Sequence, residues 1–274
     1  MQVNLPIDIK EEALAAFPHS ALLIVGCTST GINRRYCEVD IMAFPAKGNV
    51  RLFNKNGQFY RIIPSEEKTT LLLNDIKLVE DEMMIVAGLL SGLTGHRINK
   101  ARRAKSLLLM DEAIEFHTLA LTALKAQEYE VTTLYFIASI LKFSESIVFA
   151  RGEVSHPSHL ADQLRKTDFY REVTGLLDFD LATASNVRRR ILKLSQIIKE
   201  DNLVILTRKM EGMVNDGKVF DALFYSFWAI SALLRKNILA DRVLADALRV
   251  GVEANELRRR VDWLSTLLKN NLSR

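Results

Sequence analysis

Residues 20–41 read SALLIVGCTSTGINRRYCEVDI, and this stretch decides the fold of the first part of the chain. Its apolar run ends at Gly26, which is typical of a buried strand. A polar turn that contains glycine is predicted over 27–35, and a second strand over 36–44, where apolar and acidic residues alternate. A short helix is predicted before the first strand, over 9–17.

The chain after the second strand favours a hairpin and one more strand. Residues 49–53 and 58–63 flank Asn-Lys-Asn-Gly at 54–57, and Asn and Gly tolerate the positive φ angles that a tight hairpin turn requires. A short apolar run predicts a strand over 76–79, whereas residues 83–90 fit a helix or a strand equally well. We therefore expect a small mixed sheet with flanking helices.

The remaining chain predicts an all-helical bundle. Residues 92–96 (GLTGH) interrupt the pattern, and apolar residues recur at helical spacing from residue 106 onward. The predicted domains are therefore 1–100 and 101–274, and the fold class is α+β. Asn186 and Gly251 are predicted helix caps. Helices are predicted from about residue 106, after Glu128-Tyr129, from about Ser158, and over 186–200, 204–214, 218–237, 240–250 and 254–270.

Composition narrows the classes of protein. With 49% hydrophobic residues, 274 residues are enough for two cores. The formal charge of +4 fits an anionic ligand such as a nucleotide or RNA. Cys27 and Cys37, the only two cysteines, form no C-x-x-C pair, which argues against a disulfide framework or a zinc site. No targeting segment or long apolar run is visible, so we expect a cytoplasmic protein without a membrane partner.

The two predicted strands combine to suggest a nucleotide site. Alternation projects Glu38 and Asp40 to the same side, where two carboxylates can hold Mg²⁺ together with phosphate oxygens. A turn of small residues lets backbone N–H groups approach a triphosphate closely. Other phosphate motifs are excluded, because Ile32 and Asn33 stand where a Walker A loop needs Lys and Ser or Thr. The predicted nucleotide-binding residues are Gly26, Cys27, Thr28 and Arg34.

This arrangement resembles the polymerase-β-type nucleotidyltransferase superfamily, over about twenty residues. The resemblance implies that Glu38 and Asp40 bind Mg²⁺ or Mn²⁺, and that a third acid on a later strand completes the catalytic site. Asp75 is the first candidate for that acid and Asp81 the second. The implied reaction transfers a nucleoside monophosphate from NTP to a hydroxyl, with two metal ions assisting. The chain departs from the family pattern at Cys27, where Ser or Gly is usual, and at Glu38, where Asp is commoner.

Residues 119–166 resemble the HEPN family of helical domains. The second helix of this segment ends at Arg151-Gly152, a loop with Pro157 follows, and the next helix opens at Ser158-His159-Leu160. HEPN-like and nucleotidyltransferase domains recur together, so the two resemblances support each other. Some HEPN proteins are ribonucleases that use Arg-x4–6-His, a spacing that Arg151 and His156 satisfy. There the histidine acts as acid or base and the arginine stabilises charge on the phosphate.

The leading hypothesis is thus a Mg²⁺-dependent nucleotidyltransferase that acts on an RNA or a small-molecule hydroxyl acceptor. Its catalytic residues would be Glu38, Asp40 and Asp75. The alternatives are a HEPN-type ribonuclease that uses Arg151 and His156, or a catalytically inactive member that binds nucleotide or a partner, as in toxin–antitoxin modules. Surplus apolar surface on the helical bundle would favour a homodimer.

Overall fold

The computed structural model describes residues 5–81, 84–92, 94–177, 182–198, 200–234, 241–248 and 252–272. The chain divides into two compact units, Met1–Ala104 and Lys105–Arg274, and the division falls within one long helix, Gly95–Lys125. The N-terminal unit holds a mixed five-stranded sheet and the C-terminal unit is mostly helical. The predicted α+β class, with a mixed sheet followed by helices, is confirmed.

The N-terminal unit alternates strands with short helices. Its elements are α1 (Ile7–Ala16), β1 (Ala21–Val25), α2 (Gly26–Thr30), β2 (Val39–Phe44), β3 (Arg51–Lys55), β4 (Gln58–Pro64), α3 (Lys68–Leu72), β5 (Lys77–Glu80), α4 (Ile85–Ser91) and the start of α5 (Gly95–Lys125). The strand order is β3-β4-β2-β1-β5. All neighbouring strands are antiparallel except β2 and β4, which run parallel.

Helices cover both faces of the sheet, which explains why β1 is buried along its whole length. Leu22 and Ile41 point to one face, where they pack with Ile9 and other residues of α1. The alternate residues of β1 and β2 point to the other face and pack with Leu71 of α3 and Val86 of α4. A strand covered on both faces needs a continuous apolar run, as the sequence at 20–26 has.

The hairpin forms where the sequence predicts it. Asn56 and Gly57 are the two turn residues, with φ of 51° and 76°, and the backbone N–H of Gly57 donates to the Asn54 side chain at 3.1 Å. β3 and β4 pair directly across this turn, from Lys55 opposite Gln58 onward. Positive φ at both positions matches the twist of a two-residue hairpin loop.

The predicted turn over 27–35 is wrong in its first part, because α2 begins at Gly26 and ends at Thr30. The hydroxyls of Ser29 and Thr30 donate to the carbonyls of Gly26 and Cys27, at 2.7 and 3.0 Å. Small hydroxyl side chains can hydrogen-bond to backbone carbonyls three residues earlier, so a run of them is compatible with one helical turn. The turn ends at Gly31, whose φ is 78°. A five-residue helix is too short to show apolar periodicity.

The C-terminal unit contains the rest of α5 and eight further helices among its described residues. They are α6 (Tyr129–Ala150), α7 (Leu160–Leu164), α8 (Tyr170–Leu177), α9 (Ala184–Leu194), α10 (Glu200–Asn215), α11 (Val219–Leu234), α12 (Asp241–Leu248) and α13 (Ala254–Leu272). A single 3₁₀ turn, Pro157–His159, precedes α7. Helix α6 is the centre of this unit, with α11, α12 and α13 packed around it.

Helix α6 is long and apolar enough to cross a membrane, by length and composition alone. However, 89% of its most apolar window is buried inside the protein, as in the core helix of a soluble protein. Three bulky side chains of this helix, Phe136, Ile140 and Phe143, have no exposed surface. A helix that is hydrophobic on all sides belongs in the core of a bundle, and α6 lies there.

Two details of the helical half differ from prediction. Helix α8 was not predicted as a separate helix. The N-cap of α9 is Thr183 rather than Asn186, because the Thr183 hydroxyl accepts from the backbone N–H of Asn186 at 3.2 Å. Both residue types cap helices, and Asn186 lies at the third helical position, where its N–H needs such an acceptor. Gly251, the other predicted cap, lies outside the described residues.

Candidate functional site

Asp40 and Arg61 face each other on the two parallel strands of the sheet. Asp40 of β2 pairs in register with Arg61 of β4. The Arg61 Nε donates to Oδ1 of Asp40 at 2.8 Å, and Nη2 donates to Oδ2 at 3.1 Å. This is the bidentate geometry in which a guanidinium binds a carboxylate most strongly. Both oxygens of the second predicted metal ligand are therefore engaged by a cation of the protein itself.

The same guanidinium reaches Glu38, which immediately precedes β2. Nη2 of Arg61 lies 3.2 Å from Oε1 of Glu38. The Glu38 side chain is 2% exposed, that of Asp40 15% and that of Arg61 31%. As predicted, the two carboxylates project to the same side of the strand. The guanidinium of Arg61 lies between them. Two carboxylates this buried need a nearby positive charge, and Arg61 supplies it.

Gly26 makes room for the Asp40 carboxylate. Its φ is 71°, and a Cβ added to it would lie 2.9 Å from Oδ2 of Asp40. Such a separation is too short for a carbon and an oxygen in van der Waals contact. Glycine is thus required at this position for two reasons, the positive φ and the close approach of the acidic side chain.

The other predicted nucleotide-binding residues have different environments. Cys27 and Thr28 of α2 are buried, at 8% and 3% exposure. Among the described residues, no group lies within hydrogen-bond distance of the Thr28 hydroxyl. Arg34 is exposed, and its backbone N–H donates to Sγ of Cys37 at 3.3 Å. The turn is therefore lined by buried small side chains.

Asp75 lies apart from the other two acids. It precedes β5, which pairs with β1 on the side opposite to β2, with Lys77 opposite Ile24. Two strand spacings, about 9–10 Å, therefore separate β5 from β2. One oxygen of Asp75 accepts a hydrogen bond at 2.8 Å from Nη2 of Arg102. The structure thus brings Glu38 and Asp40 together and leaves Asp75 in a separate ion pair.

The donor set around Arg61 does not fit a divalent metal in this arrangement. Mg²⁺ requires oxygen ligands at about 2.0–2.1 Å in octahedral geometry, mostly carboxylates, phosphates and water. Here the guanidinium occupies the space between Glu38 and Asp40, and a second cation beside it would be repelled. Mn²⁺ prefers the same hard oxygen ligands, so the same objection holds for it.

Arg61 is the residue that sequence reasoning missed. The hairpin was predicted, so residue 61 was already assigned to a strand. Its partner strand was not predictable, because a parallel pairing of β2 with β4 joins segments that are not adjacent in the chain. A basic residue in the second strand after an acidic-x-acidic strand is the signal that could have indicated it.

Arg151 and His156, the predicted ribonuclease pair, differ in accessibility. Arg151 caps the end of α6 at the surface, and its Nε lies 3.6 Å from Oε1 of Glu153. His156 is 6% exposed, and its backbone N–H donates at 2.9 Å to Oε1 of Gln163. A histidine that acts as acid or base has to reach the hydroxyl or the leaving oxygen at the phosphate that is cleaved. The side chain of Gln163 also donates to the carbonyl of Val154 at 2.7 Å. Two hydrogen bonds between one buried side chain and the backbone thus hold this loop.

The helix after this loop is held by a network of charged side chains, of which Asp221 is buried. Both terminal nitrogens of Arg165 donate to the carboxylate of Asp221, which is 5% exposed. Burial opposes ionisation of Asp162, but Lys218 donates to it at 2.6 Å and the charges of Lys218 and Arg165 add to this effect. The pKa of Asp162 is lowered as a result. The network joins α7 to α11.

Two arginines of the helical unit, Arg190 and Arg260, are used inside the fold. Arg190 is 4% exposed, stacks over Phe227 at 5.0 Å and donates to the carbonyl of Leu248. Arg260 donates to Glu256 at 2.8 Å and to the carbonyl of Leu176 at 2.9 Å. These two side chains therefore stabilise helix packing.

A scan against protein-family models gives no match to this chain, and a search of curated proteins gives none either.

Proposed function

We propose that this chain is a binding protein, built from a catalytically inactive nucleotidyltransferase-like domain and a HEPN-like helical domain. It would act as the partner-binding member of a module of the toxin–antitoxin kind. The observation that carries the proposal is the pairing of one guanidinium, that of Arg61, with both Glu38 and Asp40. The acidic pair then contributes to the stability of the sheet instead of binding metal.

Charge supports this choice over nucleotide transfer. Transfer from NTP depends on cations that neutralise the triphosphate and the attacking oxygen. Arg61 pairs with both Glu38 and Asp40, so its guanidinium occupies the position that such a cation would take between them. Asp75, the first candidate for the third acid, pairs with Arg102 instead.

Cytoplasmic localisation belongs to the same proposal. Cys27 and Cys37 are buried and are not joined in a disulfide, which suits a reducing compartment. The ribonuclease alternative has less support, because His156 is buried while Arg151 lies at the surface. A homodimer remains a proposal that size-exclusion chromatography with light scattering would test.

Calorimetric titration of the four NTPs with Mg²⁺ or Mn²⁺ tests the proposal on the full chain. The variants are Arg61→Asp, which places a carboxylate where the guanidinium lies, and the near-isosteric double variant Glu38→Gln/Asp40→Asn. Arg51→Asp is the matched control, because Arg51 is exposed on the adjacent strand β3 and lies over the Phe17 ring. Mn²⁺ binding is read independently by electron paramagnetic resonance.

We expect no metal-dependent NTP binding by the wild-type protein or by Arg51→Asp. Arg61→Asp should gain Mn²⁺ binding, because three carboxylates then converge on one space. Metal-dependent NTP binding by the wild-type protein that is lost in Glu38→Gln/Asp40→Asn would overturn the proposal. It would support the nucleotidyltransferase instead, and a search for its hydroxyl acceptor would follow.

A further inference from the structure

A cavity of about 400 Å³ lies within the helical unit, between α5, α6 and α11. Ligand sites for small molecules commonly have volumes of about 300–1,000 Å³. The lining residues come from all three helices and from the loop after α6. Five of them are polar or charged, and the others, among them Leu109 and Trp228, are apolar or aromatic. Apolar walls with polar groups that orient the ligand are usual in ligand pockets.

Trp228 lines this cavity and is held in place by two contacts. Its indole Nε1 donates at 3.1 Å to Oε1 of Glu145. Tyr225 stacks with it, with ring centroids 5.9 Å apart and an interplanar angle of 8°. A fixed indole in the lining is suited to an aromatic contact with the ring of a bound ligand.

Hydroxyl groups without an internal acceptor line the same cavity. Among the described residues, no group lies within hydrogen-bond distance of the Ser231 hydroxyl, although Ser231 is 2% exposed. The buried hydroxyl oxygen of Ser155 is in the same situation. A buried hydroxyl left in this state destabilises the fold. Two such groups around one cavity indicate that it takes a molecule with hydrogen-bonding atoms.

Lys105 is the cation that the lining of the cavity offers to an anion. Lys142 is 6% exposed, its ammonium donates to Oε2 of Glu145 at 2.6 Å, and the carboxylate of Glu112 lies 3.6 Å away, so two carboxylates already balance its charge. Lys105 lies in the same lining and has no ion-pair partner among the described residues. Its ammonium has three donors to offer to a bound anion.

We propose that this cavity binds a small planar aromatic carboxylate, with its ring against Trp228 and its carboxylate directed to Lys105. The hydroxyls of Ser155 and Ser231 hydrogen-bond to its polar atoms. Leu109 and the other apolar side chains enclose the ring and exclude water from it. This site lies entirely in the helical unit and does not depend on the proposed role of Arg61.

Fluorescence titration with 2-naphthoate tests this site. The chain has two tryptophans, so in the Trp263→Phe background the tryptophan emission reports Trp228 alone. The uncharged 2-naphthamide is the matched ligand control. Lys105→Ala removes one proposed cation, and Lys125→Ala is its control, because Lys125 is an exposed lysine of the same helix outside the cavity. Ala232→Phe is designed to fill the cavity.

We expect saturable quenching by 2-naphthoate with a Kd below about 1 mM. Binding of 2-naphthamide and binding by Lys105→Ala should each be weaker by about tenfold or more, since a charge-assisted hydrogen bond is lost. Lys125→Ala should bind like its parent and Ala232→Phe should not bind. The proposal is overturned if 2-naphthoate leaves the Trp228 emission unchanged. It is also overturned if 2-naphthamide binds the parent protein as tightly as 2-naphthoate does, or if Lys105→Ala binds 2-naphthoate as tightly as the parent does.

Ser231→Ala provides a readout that a merely structural serine would not give. Removing a buried hydroxyl that has no internal acceptor should leave the urea midpoint of unfolding unchanged or raise it. The same change should weaken 2-naphthoate binding several-fold. A lower midpoint together with unchanged affinity would show that Ser231 supports the fold and would remove it from the site.

Discussion

Gly26 and Asp40 approach so closely that a Cβ on the glycine would lie 2.9 Å from Oδ2 of the aspartate. This contact links the end of β1 to the start of β2, and it positions the carboxylate that Arg61 binds. Gly26 is therefore needed both for the positive φ of the turn and for the space that the Asp40 carboxylate occupies in the ion pair. Four predictions follow from this site and from the helical unit.

Gly26→Ala should destabilise the N-terminal unit by about 2–4 kcal/mol, from positive φ and from the clash with Asp40. Gly31→Ala is the control, because Gly31 has φ of 78° and nothing within 4 Å of an added Cβ. It should cost only about 1–2 kcal/mol. The measurement is hydrogen exchange of a peptide covering β1, since both tryptophans lie in the other unit. Equal effects of the two substitutions would contradict the contact.

Arg61→Ala should cost the N-terminal unit about 3–5 kcal/mol, because it leaves two nearly buried carboxylates without their guanidinium. Hydrogen exchange of a peptide covering β2 measures this loss. Arg51→Ala, which loses only a surface contact with the Phe17 ring, should cost about 0.5–1 kcal/mol. A loss in Arg61→Ala no larger than that in Arg51→Ala would argue against the pairing.

Arg165→Ala should destabilise the helical unit by about 2–4 kcal/mol, because it leaves the buried carboxylate of Asp221 without its bidentate partner. Adding Asp221→Asn, which removes the charge and keeps the shape, should recover part of this loss. Urea unfolding followed by tryptophan fluorescence reports this unit. Arg171→Ala, at an exposed arginine of α8, should change stability by less than about 0.5 kcal/mol. Strict additivity of Arg165→Ala and Asp221→Asn would refute the coupling.

His117 should make the helical unit less stable in mild acid. Burial lowers the pKa of His117 below its ordinary value of 6.5, with Asp262 opposing and Lys269 adding to the shift. The unfolded chain then binds more protons than the folded one, so stability is complete above pH 6.5 and is lost as the pH falls from there towards the folded-state pKa. His117→Asn should reduce this loss between pH 7 and pH 5 in urea unfolding. An unchanged pH dependence would contradict the assignment.

Local signals in the sequence predicted much of the N-terminal fold. The apolar run at 20–26 became β1, and Asn56-Gly57 became the hairpin turn, because each depends on residues close in the chain. Helix α2 was missed for the converse reason, since one turn of small polar residues has no periodicity to detect. The cap of α9 was misplaced by three residues because Thr183 and Asn186 are both good capping residues.

Alternation along β2 also predicted correctly that Glu38 and Asp40 share one side. Their contact with Arg61 could not be predicted, because it depends on the parallel pairing of β2 with β4, and the register of that pairing depends on the whole sheet. Asp75 was ranked as the third acid from its position before a short strand. The strand exists as β5, but it pairs with the far side of β1.

The sequence by itself determined the elements that rest on local physical chemistry: the α+β class, the hairpin, the buried strand β1 and the helical second half. Only the tertiary structure decided which charges meet. It placed Arg61 between Glu38 and Asp40, and it placed Trp228 of α11 beside Glu145 of α6, 83 residues away in the chain. Periodicity shows which face of an element is apolar, whereas the pairing of distant elements depends on the packing of the whole chain.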